Sequence, residues 1–390
     1  MVSRADKGPV SEWWWTIDKP LLVAILALLV SGVVLSFAAS PPVAARLGYD
    51  TYHFVVRQAI FAVPALFVMI GVSFFSPRMV RRSALVLYAV MLVLCIAALF
   101  IGQEVKGARR WINFAGLGLQ PSEFLKPAFV VLTAFLFAEG GQRPDVPGKL
   151  FAILLLVMSV VPLIAQPDFG QTMLIAMVWG ALFFLAGLPW LWIVGLIGVA
   201  VVGVFAAYTM LPHVAGRINR FLDPESGDTF QVDTAMESFV RGGWFGRGPG
   251  EGTVKRSLPD SHTDFVFAVV GEEFGVIVCM VLMAICAFVV LRVLTRALRE
   301  EDPFIRLASA GLAVLFGLQG VINMAVNLHL MPAKGMTLPF VSYGGSSLIA
   351  MGIEMGFLLA LARKRPSTKR LNAMLRSDTV RSDILAGRPA

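Results

Sequence analysis

Long apolar stretches follow one another along almost the whole chain, interrupted by short polar clusters. A helix needs roughly 20 mostly apolar residues to cross the hydrocarbon core of a bilayer. Runs of that kind fall at 21–39, 54–75, 84–102, 122–138, 150–165, 172–187, 190–210, 265–291, 304–328 and 342–362. The pattern predicts an all-α polytopic membrane protein with ten transmembrane helices spread over 21–362. Its weakest cuts separate the fifth, sixth and seventh runs, where only QPDFG and GLPW intervene. Three polar stretches lie outside the runs. Residues 1–20 form an N-terminal tail, 212–263 a long loop between the seventh and eighth spans, and 363–390 a basic tail expected to be disordered.

Composition agrees, with 57% hydrophobic residues, 15% charged residues and a mean hydropathy of +0.77, which excludes an ordinary soluble domain. Orientation follows from Lys and Arg, which concentrate in cytoplasmic loops. With the N-terminus inside, that side receives Arg4, Lys7 and Lys19, then Arg78, Arg81 and Arg82, then Arg143 and Lys149, then Arg292, Arg296, Arg299 and Arg306. Both termini are then cytoplasmic and the long loop is extracytoplasmic. One short outer segment, EVKGARRW, breaks the rule with Lys106, Arg109 and Arg110, and an anion held outside is the simplest reason. The net charge of +8 belongs with anionic lipid headgroups rather than nucleic acid, since the basic residues gather in the inner loops and tail. Cys95, Cys279 and Cys286 all fall inside spans, so no disulfide framework is expected. Trp13, Trp14 and Trp15 read as an interfacial belt before the first span.

Carboxylates inside the spans are the main candidates for chemistry, because ionisable groups there are costly and face a protein cavity or a partner. The stretch LPDSHTDFVFAVVGEEFG carries Asp264, Glu272 and Glu273 into the eighth span. On one continuous helix Asp264, Ala268, Gly271 and Gly275 share a face, with Glu272 beside it and Glu273 opposite. Asp264 then lies about 12 Å along the axis from Glu272, beyond the roughly 5 to 9.5 Å of paired glycosidase carboxylates, and alone at the outer mouth. The plainer alternatives are a helix N-cap for Asp264 and an interhelical ion pair for Glu272 or Glu273. In QPSEFLKP, Glu123 and Lys126 share a helix face, which suits an internal salt bridge as well as a site. The outer segments QPDFGQT, GRINRFLDPESGDTFQ with Arg217, and MPAKGMTLPFVSYGGSS with Lys334, Ser342 and Gly344 lie on the same side. The last permits tight turns whose amides approach an anion. GGWFGRGPGEGTVKR reads as a substrate clamp or a plain connector. His262 orients Asp264 or caps the helix, and Asn323 and Asn327 suit interhelical hydrogen bonds.

In this order and on one membrane side, GARRWI, QPSEFLKP, QPDFGQT, GGWFGRGPGEG, LPDSHTDFVFAVVGEEFG and KGMTLPFVSYGGSS resemble the SEDS (shape, elongation, division and sporulation) family over about residues 20–362. The polar N-terminal extension, GRGPGEGTVKRSLP and SYGGSS resemble its division branch more than its elongation branch. The family usually writes LPEAHTDF, so Asp260 and Ser261 depart slightly from it. The resemblance implies a peptidoglycan glycosyltransferase that polymerises lipid II at the outer face of the bacterial cytoplasmic membrane, at the division septum, with Asp264 as the catalytic residue. Asp264 would act as general base toward an acceptor sugar hydroxyl, and the pyrophosphate would leave without a protein acid. Its charge would be met by Lys106, Arg109, Arg110, Lys126, Arg217 or Lys334, or by a divalent cation, magnesium or manganese, bridging the phosphates. Glu123, His262, Glu272, Glu273, Ser342 and Gly344 would support the site. The partners implied are a single-span class B penicillin-binding protein transpeptidase and other division proteins. A lipid II flippase, a non-enzymatic scaffold and the elongation paralogue are the alternatives.

Overall fold

The computed structural model describes residues 8–105, 107–114, 117–187, 190–210, 215–216, 219, 230–332 and 335–364. Within them a helix occupies each of the ten expected runs. These are α2 (Lys19–Ala39), α4 (His53–Ser73), α5 (Pro77–Ile101), α6 (Pro121–Gln142), α7 (Gly148–Ala165), α8 (Phe169–Leu185), α9 (Trp190–Met210), α11 (Val266–Ala297), α12 (Pro303–Asn327) and α13 (Gly345–Leu361). Shorter helices α1 (Pro9–Thr16), α3 (Pro41–Arg46) and α10 (Phe230–Gly242) lie between or before them. Among the described residues seven helices are long and apolar enough to cross a membrane, while α8 and α13 are shorter apolar helices.

Local chemistry sets several boundaries. Asp18, Ser76, Asp168 and Asp302 begin α2, α5, α8 and α12, each accepting a hydrogen bond from a backbone N–H of the first turn. Proline follows at the first positions of α2, α5 and α12, where its missing N–H costs nothing.

Central helices are buried on all sides and peripheral ones are not. In α6, 72% of the best membrane-length window is buried, against 22% in α5. Phe67, Phe100 and Leu291 stay largely exposed, as expected of residues that meet lipid. Helix α13 packs along α4. Gly352 and Gly356 make that possible, since a methyl group on Gly352 would stand 2.5 Å from the Ala65 carbonyl oxygen. Small residues one turn apart allow close helix approach where lipid supplies no hydrophobic drive between helices.

Four features depart from the sequence expectation. The segment around EVKGARRW is not a bare loop: β1 (Gln103–Val105), β2 (Ala108–Phe114) and β3 (Leu117–Leu119) form an antiparallel sheet in that order. Part of the long loop 212–263 is the helix α10, packed on α11. The first residues are not all tail, because Trp13 of α1 is buried, stacks on Phe74 at 5.0 Å and donates to Ser73 Oγ at 2.8 Å. Only Trp14 and Trp15 keep the exposed, belt-like position, with the Lys19 ammonium over both rings.

The fourth departure governs the site. Helix α11 is broken at Gly275, whose φ of 80° and ψ of 174° leave the helical region. A break strands backbone groups, and each must find a partner. The loop after α10 supplies them: Arg247 N donates to Glu272 O at 2.9 Å and Gly248 N to Glu273 O at 3.0 Å, while Val276 N donates to Gly243 O at 3.0 Å. The first eight residues of α11, Val266–Glu273, are all buried.

Candidate active site

Asp264 stands two residues before α11 begins, half-buried, in a turn where its N–H donates to Asp260 O at 3.1 Å. It is therefore not on the helix face assigned by the continuous-helix reading. Two asparagines of α12 fix its backbone. Asn323 Nδ2 and Asn327 Nδ2 each donate to Asp264 O at 2.9 Å. Asn327 Oδ1 accepts from Ala268 N at 3.1 Å, and Asn323 Nδ2 also donates to Met336 O at 2.6 Å. Thus α12 ties the aspartate to the segment before α13. That segment lies against the carboxylate: a methyl group on Gly335 would stand 3.5 Å from Asp264 Oδ2.

On one continuous helix Glu272 is expected beside the Asp264 face and Glu273 opposite that face, with an interhelical ion pair as the plainer alternative. Both glutamates converge on the loop 250–255. Glu272 accepts three backbone N–H groups, from Thr253 at 2.6 Å, Val254 at 2.7 Å and Lys255 at 2.9 Å. Glu273 accepts from Gly250 N at 2.9 Å and pairs with Lys255 Nζ. Lys255 in turn donates to Ala38 O at 2.8 Å. These carboxylates hold the loop that leads into HTDF, and the preceding residues 243–248 pack against the break at Gly275.

Below the segment before α13 lies a buried polar network. Lys126, 1% exposed, donates to Glu123 Oε2 at 3.0 Å and Gln319 Oε1 at 2.9 Å. Gln171 Nε2 donates to Glu123 Oε1 at 2.6 Å. Gln319 Nε2 reaches the Thr337 carbonyl at 3.2 Å, and Thr337 meets Ser347 at 3.1 Å. The Lys126 ammonium, expected to meet a pyrophosphate, is enclosed here and its partners are protein groups, the arrangement of the internal salt bridge that was the plainer reading.

Among the other expected cations, Arg109 is exposed and lies 3.7 Å from Glu104. Arg110 is turned to protein: it donates to Pro167 O at 2.9 Å and Gln166 O at 3.3 Å and lies 3.5 Å from Asp168. It clips the sheet to the turn before α8. Burial pushes the Asp168 carboxyl up from its ordinary value, opposed by the Arg110 charge and the Gln171 N–H. Lys106, Arg217 and Lys334 lie outside the described residues. The sequence reading passed over Arg57, whose charge acts on Tyr343 beside the site, and over Gln319, which lies one turn before Asn323 on the same helix.

His262 packs between Phe54 and Tyr343, with ring centroids at 4.8 and 5.2 Å, and its carbonyl accepts from Tyr343 N at 2.9 Å. Ser342 Oγ accepts from Leu338 N at 2.7 Å. Gly344 begins α13 with an extended φ of 173°. These three shape the turn facing Asp264. Among the described residues no group of three or more His, Cys, Asp or Glu side chains could hold a metal ion.

QPSEFLKP and QPDFGQT thus meet at Glu123, and KGMTLPFVSYGGSS joins that network through Thr337 and Ser347 while its Gly335 lies against the carboxylate of HTDF. The family model of the FtsW, RodA and SpoVE cell cycle proteins matches residues 19–367. The chain belongs to this family. A Caulobacter vibrioides relative named "Probable peptidoglycan glycosyltransferase FtsW" is 49% identical over 365 residues, covering 93% of this chain and 94% of the relative. A Neisseria gonorrhoeae protein of the same name is 32% identical, covering 88% and 84%. Among solved structures, a chain from a peptidoglycan synthase complex that coordinates polymerization and crosslinking has a TM-score of 0.75 at 29% identity, covering 90% of this chain and 98% of that one. The rod shape determining protein RodA of Thermus thermophilus has a TM-score of 0.67 at 27% identity, covering 90% and 99%. The FtsW/RodA fold therefore extends over nearly all of the described helical bundle, and the chain is a multi-pass membrane protein.

Proposed function

We propose that this peptidoglycan glycosyltransferase polymerises lipid II into glycan strands at the outer face of the cytoplasmic membrane during division, with Asp264 as its base. The observation that carries the reading is the seat of Asp264: one half-buried carboxylate, its backbone clamped by two asparagines, beside a tight turn. The relatives named FtsW and the fold shared with a peptidoglycan synthase complex support it.

In this mechanism Asp264 accepts the proton of an acceptor sugar hydroxyl as that oxygen bonds to the donor's anomeric carbon. The anomeric carbon–oxygen bond to the pyrophosphate breaks at the same time, so the configuration inverts. Pyrophosphate is stable as an anion and needs no proton, hence one carboxylate suffices. Arg109 remains an exposed cation for it, and Lys106, Arg217 and Lys334 are the further candidates. The described residues offer no ligand set for a cation held by protein alone, and no step is assigned to one. A magnesium or manganese ion carried on the substrate's phosphates requires no such set.

The same reading includes ten spans, both termini in the cytoplasm, a bundle of 21–362 with tails at either end, and residence at the septum. It also includes a crosslinking partner, a class B penicillin-binding protein. The test is polymerisation of labelled lipid II by the purified chain with that partner, with and without chelator. Wild type is expected to make glycan chains and Asp264→Asn none, with both proteins showing the same melting temperature. Lipid II moved across liposome membranes without polymer would favour a flippase instead.

A further inference from the structure

A cleft of about 970 Å³ is lined by residues other than those of the Asp264 turn. Its walls are the end of α2 (Val34, Phe37), the helix α3 (Pro41, Arg46), the loop before HTDF (Pro249, Arg256) and Phe274 at the break of α11. Helix α2 has 21 residues, about 31 Å at 1.5 Å per residue, the thickness of a bilayer's hydrocarbon core. Its C-terminal end therefore meets a membrane surface whichever way the protein faces. Exposed Tyr49 and Tyr52, the latter 6.0 Å from Phe37, mark that depth.

The charges of this lining are unbalanced. Glu273 neutralises Lys255. Arg46 uses one donor on the Leu258 carbonyl at 3.2 Å out of the five a guanidinium carries. The exposed Arg256 side chain makes no hydrogen bond or ion pair among the described residues. Two arginines thus stand at the headgroup end of a cleft whose other end, Val34 and Phe37, is open to lipid, each 55% exposed. Arginine forks match phosphate oxygens bidentately.

We propose that this cleft binds the phosphate headgroup of an anionic membrane lipid, with its chain lying along α2. The bound phosphate would join α3 to the loop held by Glu272 and Glu273, six residues ahead of Asp264 at Leu258. The inference does not use the glycosyltransferase reading and can fail without it.

The experiment is native mass spectrometry of the purified full chain titrated with phosphatidylglycerol, a polyprenyl phosphate or phosphatidylcholine. At least one of the two anionic lipids is expected to bind in preference to phosphatidylcholine, and the tighter of them names the source. Arg46→Gln with Arg256→Gln is expected to weaken binding by about fivefold for each arginine, on roughly 1 kcal/mol per basic residue at a lipid surface. Arg256→Gln alone removes no hydrogen bond and serves as the variant whose folding is not in question. Equal retention of phosphatidylcholine, or undiminished binding in both variants, would overturn the proposal.

Discussion

Asp264 owes its position to two side chains that do no chemistry. The carbonyl of Asp264 receives both asparagine amides, so removing either leaves a buried acceptor with fewer partners. Asn327→Ala is expected to lower the melting temperature by an amount equivalent to about 1 kcal/mol, the scale of an interhelical hydrogen bond in membrane proteins. It is also expected to reduce turnover more than substrate affinity, which steady-state kinetics of polymer formation would separate. Lys126 gives a sharper case. Lys126→Met strands Glu123 in the buried network, at a cost of about 3 to 5 kcal/mol. Adding Glu123→Gln should recover most of that stability in thermal melts. If Lys126 served only the pair, the double variant would recover polymerisation as well; stability restored without activity would return Lys126 to the reaction. These residues also show what was legible. HTDF and QPSEFLKP announced themselves as charges where lipid demands none. The asparagine clamp did not, because amides within spans have an ordinary use in helix packing, and only the fold reveals which carbonyl they hold.

At the scale of elements, the break in α11 is the feature that hydrophobic periodicity could not show. The run 265–291 is uniformly apolar around its two glutamates, and glycine within it reads as a tolerated helix residue. Its need becomes visible only with the loop 243–248 in place, because that loop completes the hydrogen bonds the break opens. Gly275→Ala tests this directly. The added methyl would stand 2.3 Å from the Trp244 carbonyl oxygen on a backbone with φ of +80°, and strained backbone of that kind costs about 1 to 3 kcal/mol. Hydrogen exchange at the amides of Arg247 and Gly248 should accelerate, and activity should fall because the loop also carries the chain into HTDF. Unchanged exchange there would mean the loop is held by Glu272 and Glu273 alone. The sheet β1–β3 escaped notice for a related reason. Its strands of three and seven residues lie among the charges of EVKGARRW, which drew attention to an anion instead.

For the molecule as a whole, each of the ten apolar runs holds a helix and seven of those described are long and apolar enough to cross a membrane, because lipid is a severe selector. Each run must hide its backbone in a helix, and length alone then fixes most boundaries to within a few residues. Which side those helices face is a separate question, and the catalytic proposal depends on it, since the substrate's sugars must be outside. The chain is well suited to thiol labelling because Cys95, Cys279 and Cys286 are all buried and should stay silent. Glu251→Cys places a thiol at an exposed position in the loop before HTDF, and Arg299→Cys places one at an exposed position between α11 and α12. A membrane-impermeant maleimide added to intact spheroplasts is expected to label the first, and to reach the second only after permeabilisation. Glu251 lies in the loop bound to Glu272 and Glu273 beside the break, and Arg299 lies just beyond the end of α11, so the same experiment tests that the part of α11 after the break crosses the bilayer. Labelling of Arg299→Cys alone from outside would turn Asp264 toward the cytosol, where an acceptor hydroxyl of an exported glycan strand cannot meet it.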